Sequence, residues 1–269
     1  MTDAKTAQIR EYWNERAAMT AVGTATTDDR WLRELEIRAV VAEFTAMGLP
    51  AGARVLDAGC GDGLSTIRIA EAFPSAEFTG TDYAENMVLA SRRRLEGRPG
   101  LEKRVRFETG DVLELSTRFG EGAFDALLTD RCLINLESYD DQARGFREIA
   151  RVLKPGGRFV AIENFTEGQD NMNRARASLG LPEIPVRWHN LFFTEDGFRC
   201  AAAERFEAPV FKDFSSSYYF ATRLVYSAMC RMRNEEPDYG HEIHRLAVDL
   251  PWTGSFSPVR MAVLTKKGV

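Results

Sequence analysis

Few cysteines, no long apolar run and no excess of positive charge mark this chain of 269 residues. The four cysteines, Cys60, Cys132, Cys200 and Cys230, stand far apart, without the short paired spacings that hold zinc. They are expected to be reduced thiols, and no metal is expected. No apolar stretch reaches the length that crosses a bilayer. Met1-Thr2-Asp3-Ala4-Lys5 lacks the apolar centre of a secretion signal, so a cytoplasmic location with no membrane partner is expected. A net charge of -5 and a pI near 5.5 argue against a broad phosphate-binding surface, and hence against nucleic acid. The local run Arg92-Arg93-Arg94 reads as a solvated helix face. Internal repeats, low-complexity tracts and flexible linkers are also missing. With 44% apolar and 28% charged residues, the chain can bury a full core as one large domain.

What is present is concentrated at Val55-Leu56-Asp57-Ala58-Gly59-Cys60-Gly61-Asp62-Gly63, an apolar run ending in an acid and then a glycine-rich turn. Val55-Leu56 reads as a short buried strand. Leu64, Ile67, Ile69, Ala70 and Phe73 follow at roughly helical spacing. The glycines therefore sit at a strand-to-helix turn, where the backbone can bend sharply and approach a ligand. The spacing is Gly-x-Gly-x-Gly, so the third spaced glycine of the dinucleotide fingerprint is missing, as is the Gly-Lys-Ser/Thr of a phosphate-binding loop. Asp57 beside the turn would repel a pyrophosphate but suit an ammonium or a sulfonium.

Asp-Ala-Gly-Cys-Gly-Asp-Gly resembles the first motif of class I S-adenosylmethionine-dependent methyltransferases. Roughly 20 residues on, Ala76 to Asp82 reads as a second strand ending in an acid, and Tyr83-Ala84-Glu85-Asn86-Met87 opens a helix. Val105 to Val112 gives a third strand with Gly110-Asp111 at its end, Phe124 to Thr129 a fourth, and Pro155-Gly156-Gly157 a tight turn entering a fifth that ends at Glu163. Taken alone, Asp82 or Asp111 would be an ordinary helix cap. At the ends of successive parallel strands they lie where open α/β sheets bind ligands. The resemblance implies a seven-stranded, mostly parallel Rossmann-like α/β sheet of order 3-2-1-4-5-7-6, helices on both faces, and S-adenosyl-L-methionine as cofactor with S-adenosyl-L-homocysteine as product. It implies that the turn at Asp57, Gly59, Cys60 and Gly61 holds the methionine part, that Asp82 accepts from the ribose hydroxyls, and that Asp111 and the Val112 N–H meet adenine. Tyr83, Met87 and Thr129 complete the expected cofactor set. Tyr12-Trp13-x-x-Arg16-Ala17 is similar to the entry helix that folds over the cofactor in many relatives, which makes Tyr12, Trp13 and Arg16 candidate contacts; a helix merely packing on the sheet is the alternative.

The expected organisation is one methyltransferase domain over 1–269, with a lid and leading helices in 1–50, a cofactor core in 51–163, acceptor-binding insertions in 164–257 and a last strand in 258–269. Glu204 to Phe214 and Pro258 to Lys267 are expected as the last two strands. The insertions, which contain Trp188-His189 and Tyr218-Tyr219-Phe220, would overhang the edge where the methyl group is displayed. Asp130, Arg131, Asn135, Arg187, Trp188, Tyr218 and Arg223 are candidate acceptor contacts, with Arg131, Arg187 and Arg223 converging on an acceptor carboxylate or phosphate. His189 is the candidate general base and Glu163 a second catalytic candidate; each has a structural reading as well. No Asn/Asp-Pro-Pro-Tyr/Phe follows the fourth strand, which disfavours base-amino methylation. The stretch Phe124 to Phe165 is similar to the methyltransferases of ubiquinone and menaquinone synthesis, but Asp130-Arg131-Cys132 is polar where those enzymes are apolar or small. Resemblance to small-molecule methyltransferases of saccharide and natural-product pathways implies a small polar acceptor, methylated at oxygen or nitrogen. A nicotinamide-dependent oxidoreductase and a SAM-binding pseudoenzyme are the competing classes, and oligomeric state, a homodimer included, is left open.

Overall fold

The computed structural model describes residues 2–19 and 25–268. Residues 1, 20–24 and 269, which fall within the expected leading and last segments, lie outside the described residues. Two helices lead, α1 (Thr2–Met19) and α2 (Arg30–Met47). Asp29 caps α2 by accepting from the Leu32 N–H at 3.0 Å, and Gly48 ends it in the left-handed region, φ 64°. Then come β1 (Arg54–Ala58), α3 (Leu64–Ala72), β2 (Glu77–Asp82), α4 (Glu85–Leu95), α5 (Pro99–Glu102), β3 (Val105–Thr109), α6 (Leu115–Phe119) and β4 (Phe124–Asp130). The second half has α7 (Tyr139–Val152), β5 (Leu153–Asn164), α8 (Thr166–Ser178), α9 (Glu195–Ala202), β6 (Val210–Lys212), α10 (Ser216–Tyr219), α11 (Ser227–Met232), α12 (Glu242–Ala247) and β7 (Val259–Thr265). Phe220–Tyr226 joins α10 to α11 as a π-helical segment.

The strands form one sheet in the order β3-β2-β1-β4-β5-β7-β6, parallel except for β7, which runs antiparallel to both β5 and β6. This is the Rossmann-like α/β fold that the motif resemblance implies. Successive strand residues feed two separate cores. Val55, Ala126, Leu128, Val160 and Ile162 pack with α2, α3 and α4 on one face. Leu56, Leu127, Phe159 and Ala161 pack with Phe146 and Ile149 of α7 on the other. A strand buried on both faces has no polar side to alternate with, which is why these runs read as continuously apolar.

Two expected boundaries shift. Pro155-Gly156-Gly157 is not a separate turn. β5 already starts at Leu153, and Gly156 takes φ 73° while the pairing with β4 slips register between Phe124 and Ala126. The expected strand Glu204 to Phe214 contracts to Val210–Lys212, with only an isolated bridge from Phe206 to Lys266 before it.

The sheet order reverses between β1 and β4, and the crevice outside their C-terminal ends is where such sheets bind ligands. Helix α8 closes one side of that crevice through Gly168, where an added Cβ would lie 1.8 Å from the Ser257 carbonyl oxygen. Helix propensity alone favours Gly168→Ala, but rigid backbone cannot yield cheaply, so the clash decides the sign. Gly168→Ala is expected to lower stability by about 1–3 kcal/mol in urea titration; equal or greater stability would show that the 257–258 strap moves freely.

Candidate cofactor and acceptor site

The glycine turn is tied to the end of the neighbouring strand. Gly59 N–H and Cys60 N–H both donate to the Thr81 carbonyl, at 2.7 and 2.9 Å, and Gly61 N–H donates to Asp82 Oδ2 at 2.9 Å. Gly63 N–H turns back to the Cys60 carbonyl at 3.1 Å. Gly59 and Gly61 have φ of 78° and 54°, and there is no room for a side chain. A Cβ at Gly59 would stand 2.5 Å from Cys132 Sγ, and one at Gly61 2.6 Å from Thr26 Cγ2. The turn is thus pinched between the exit of β4 and the segment before α2.

Two acids flank it as the motif implies. Asp82, at the end of β2, is buried and accepts from Ala84 N–H at 2.9 Å through its other oxygen. Burial raises its carboxyl to about 6, against the two amide bonds that work to lower it. Asp111 caps the turn after β3 by accepting from Leu113 N–H at 2.9 Å. Asp57 behaves differently. Its carboxylate accepts from the Thr66 hydroxyl at 2.6 Å, and burial pushes it up to about 7. It braces β1 against α3 beneath the turn and is absent from the cavity wall, so the expectation that it meets the cofactor is corrected: the carboxylate is turned into the protein.

A cavity of about 710 Å³ runs from this turn across the sheet edge, within the usual size of small-molecule sites. Of the residues expected at the cofactor, Gly59, Cys60, Gly61, Asp82, Tyr83, Met87, Asp111 and Val112 wall it; Tyr12, Asp57 and Thr129 do not. Thr129 is fully buried in β4. Tyr12 instead packs on the His189 ring at 4.8 Å between centroids, within a cluster completed by Trp13 and Trp188. This cluster joins α1 to the 186–190 loop, and Trp13 and His189 are its members on the cavity wall.

At the other end, Asp130, Arg131, Asn135, Arg187, Arg223 and His189 wall the cavity, whereas Trp188, Tyr218 and Glu163 do not. Trp188 is half-exposed. Tyr218 is buried and donates to Asp29 Oδ1 at 2.6 Å. Glu163 is fully buried, and its two oxygens accept from Leu133 N–H at 3.1 Å and Ile134 N–H at 3.2 Å. Burial raises it to about 7. With both oxygens engaged behind the wall, Glu163 holds the turn after β4 in place and does not face an acceptor.

Three guanidiniums there are already paired, whereas Arg187 is exposed and forms no salt bridge among the described residues. Arg33 meets Asp130 at 2.5 Å and Ser65 at 3.1 Å. Arg131 meets Glu36 at 3.0 Å, and Arg223 meets Asp29. Burial works against ionising Asp29, but Arg223 and the Tyr218 hydroxyl outweigh it and hold it below its ordinary range. Arg131 sits at φ 55°, its N–H donating to the Ile162 carbonyl at 2.7 Å. Of the expected convergence of Arg131, Arg187 and Arg223 on an acceptor anion, Arg131 and Arg223 turn instead to these internal carboxylates, and Arg187 stays on the wall without one. Nothing local in the sequence points to Asp29, Arg33 or Glu36, because their pairing depends on β4 and the π-helical segment arriving from far along the chain.

Residues 55–157 match the methyltransferase domain family. Demethylmenaquinone methyltransferase of Thermus thermophilus is 39% identical over 110 residues, covering 41% of this chain and 46% of that protein. The same-named protein of Symbiobacterium thermophilum is 30% identical over 166 residues, 60% of this chain and 61% of its own length. This chain therefore spans roughly half the length of the curated relatives it matches. Among solved structures, the [4+2]-cyclase SpnF aligns with a TM-score of 0.59 at 25% identity, over 87% of this chain and 82% of that one. Sheet order, glycine turn and family match together identify the core of this chain as a methyltransferase domain of the class I, S-adenosylmethionine-dependent type.

Asp82 sets a pH dependence. If it meets the ribose as the motif resemblance implies, its carboxylate form accepts the ligand's hydroxyls, and protonation replaces one acceptor oxygen with a donor. Affinity for S-adenosylhomocysteine is expected to be full above about pH 6 and to weaken by about tenfold per pH unit below it. The sign for the ligand-free protein is opposite. A raised carboxyl takes up protons on folding, so this group's stabilising contribution is full below the unfolded value of 3.8 and is lost as pH rises through about 6. Calorimetric titration and thermal melting across pH 5–7.5 check both; affinity independent of pH would contradict the ligand-facing role of Asp82.

Proposed function

We propose that this protein transfers the methyl group of S-adenosyl-L-methionine to an oxygen or nitrogen of a small polar acceptor, a dissolved cytoplasmic metabolite of the saccharide or natural-product kind. One observation carries the reading. The amides of Gly59, Cys60, Gly61 and Gly63 are already bonded to Thr81, Asp82 and Cys60, so they are not offered to a phosphate. A nicotinamide dinucleotide needs its pyrophosphate cradled at that point. A ligand with an ammonium and ribose hydroxyls needs only the close approach that the glycines allow and the carboxylates beside them.

Gly59, Cys60 and Gly61 would hold the methionine part, Asp82 the ribose hydroxyls, and Asp111 with Val112 the adenine, flanked by Tyr83 and Met87. When bound, the cofactor supplies a methyl group already activated by a positive sulfur. Catalysis by the chain is then mainly positioning and exclusion of water. Thr6, Ala7, Arg10 and Trp13 of α1 wall the cavity, and Glu163 fixes the turn that leads into Asn135.

His189 suits a hydroxyl acceptor. It is buried, Nδ1 has no hydrogen-bond partner, and burial reinforced by Arg187 lowers its pKa to about 4, so it is neutral at working pH. So weak a base does not ionise a free alcohol. The hydroxyl proton becomes strongly acidic as its oxygen gains a carbon, and a neutral imidazole then suffices to take it and pass it on. An apolar quinone, as the curated relatives' names would suggest, fits the charged wall of Asp130, Arg131 and Arg223 poorly, since burying these groups under hydrocarbon costs solvation.

Asp82→Ala is expected to abolish S-adenosylhomocysteine binding in calorimetry, and wild-type affinity would remove the ribose assignment. A labelled-methyl screen against fractionated metabolites then finds the acceptor. With that acceptor, His189→Ala should lower kcat by about 10²-fold or more while changing S-adenosylhomocysteine affinity little. Equal loss of both would mean that His189 serves only the aromatic cluster with Tyr12 and Trp13.

A further inference from the structure

The acceptor end of the cavity sets cations that, Arg187 apart, are satisfied against unsatisfied hydrogen-bond acceptors. Arg33, Arg131 and Arg223 each have a buried carboxylate partner. Asp130 Oδ1, Asn135 Oδ1, Asn164 Oδ1 and His189 Nδ1, all on residues of the cavity wall, have no hydrogen-bond partner. The Asn135 amide orientation is set by its Nδ2, which donates to the Arg131 carbonyl at 2.6 Å and leaves the oxygen turned away from that bond. Backbone bonds bring the four residues together: Leu191 N–H donates to the Ile134 carbonyl at 2.6 Å, and Phe193 N–H to the Asn164 carbonyl at 3.0 Å. The last residues of β4 and β5, the turn after β4 and the 189–193 segment thereby meet at one place.

Buried acceptors without donors are costly, and a ligand that supplies donors gains what the protein alone lacks. A carboxylate or phosphate would bring more acceptors to a group already short of donors, and would have the exposed Arg187, not a buried guanidinium, as its cation. A cationic amine would find Asp130 already neutralised by Arg33 and, at 3.5 Å, Arg131. We infer that the acceptor is a neutral, polyhydroxylated molecule whose hydroxyl hydrogens are read by Asp130, Asn135 and Asn164, and that Asn164 is a specificity-determining residue. This rests on the methyl-transfer reading above and narrows it to hydroxyl acceptors. Asn164 is the most separable of the three, because no salt bridge or turn depends on its side chain.

The test uses the full chain, labelled S-adenosylmethionine and a panel of hexopyranosides, myo-inositol and glycosylated aromatic polyols, each beside a carboxylate and an amine analogue. Label should enter the neutral polyols and be at least tenfold slower into the charged analogues. Charged analogues reacting as well as the polyols would overturn the inference. So would no transfer to any polyol by protein that binds S-adenosylhomocysteine, and this would leave the cofactor reading standing; loss of that binding would instead sink both. Asn164→Leu should keep or raise Tm, since it removes an unsatisfied polar group, keep S-adenosylhomocysteine affinity, and lower kcat/KM for the best polyol at least tenfold. Asn164→Asp, which retains acceptor oxygens, should recover most of that loss. A lowered Tm with unchanged KM in Asn164→Leu would make Asn164 a scaffold residue and overturn its assignment.

Discussion

The bonding of the glycine turn to the end of β2 is the constraint on which the rest of the site depends. Thr81 and Asp82 take the amides of Gly59, Cys60 and Gly61. The turn is therefore pulled towards β2, Asp82 is held on the cavity side, and the exit of β4 can pack down until Cys132 touches Gly59. Any side chain at Gly59 would push β4 away and misplace Asp130 and Arg131 beyond it. The same bonds that shape the cavity at the glycine turn thus set its depth at the exit of β4.

A second layer of order comes from buried charge. Asp29, Arg33, Glu36, Asp130, Arg131 and Arg223 connect α2, the end of β4 and the π-helical segment. Burying so many charges is costly, and pairing returns only part of that cost. Its effect is geometric: each guanidinium ties two elements that are distant in sequence, and the removal of one partner leaves an uncompensated charge. The π-helical turn, a form common at functional sites, places Arg223 against Asp29 and, through Tyr218, draws in His244, whose Nδ1 lies 2.9 Å from the Tyr218 hydroxyl. Wall and cap are one electrostatic unit, which explains why Arg33, Arg131 and Arg223 serve structure and are not free for an acceptor.

The core was legible because its signals are local. A strand, an acid and a glycine-spaced turn recur within a short stretch, and Asp82 and Asp111 fall at strand ends as the motif implies. The acceptor side was not, because its meaning lies in partners. Arg131 and Arg223 look like anion receptors in the sequence, yet each faces an acid far away in the chain. Glu163 looks catalytic at a strand end, but the turn after β4 folds back and presents two amides to it. Asp57 was assigned by adjacency to the glycines, although in a strand alternate residues face opposite ways and its side chain points to Thr66. The short β6 was overestimated because apolar residues near Phe206 pack beneath the sheet without joining it continuously.

The central claim is that the turn accepts a ligand through close approach and carboxylates, not through phosphate-binding amides. Side-by-side calorimetric titration of the wild-type protein with S-adenosylhomocysteine and with NADH tests it most directly. The account predicts saturable binding of S-adenosylhomocysteine at one site per chain and no measurable heat of binding for NADH; saturable NADH binding with none for S-adenosylhomocysteine would contradict it.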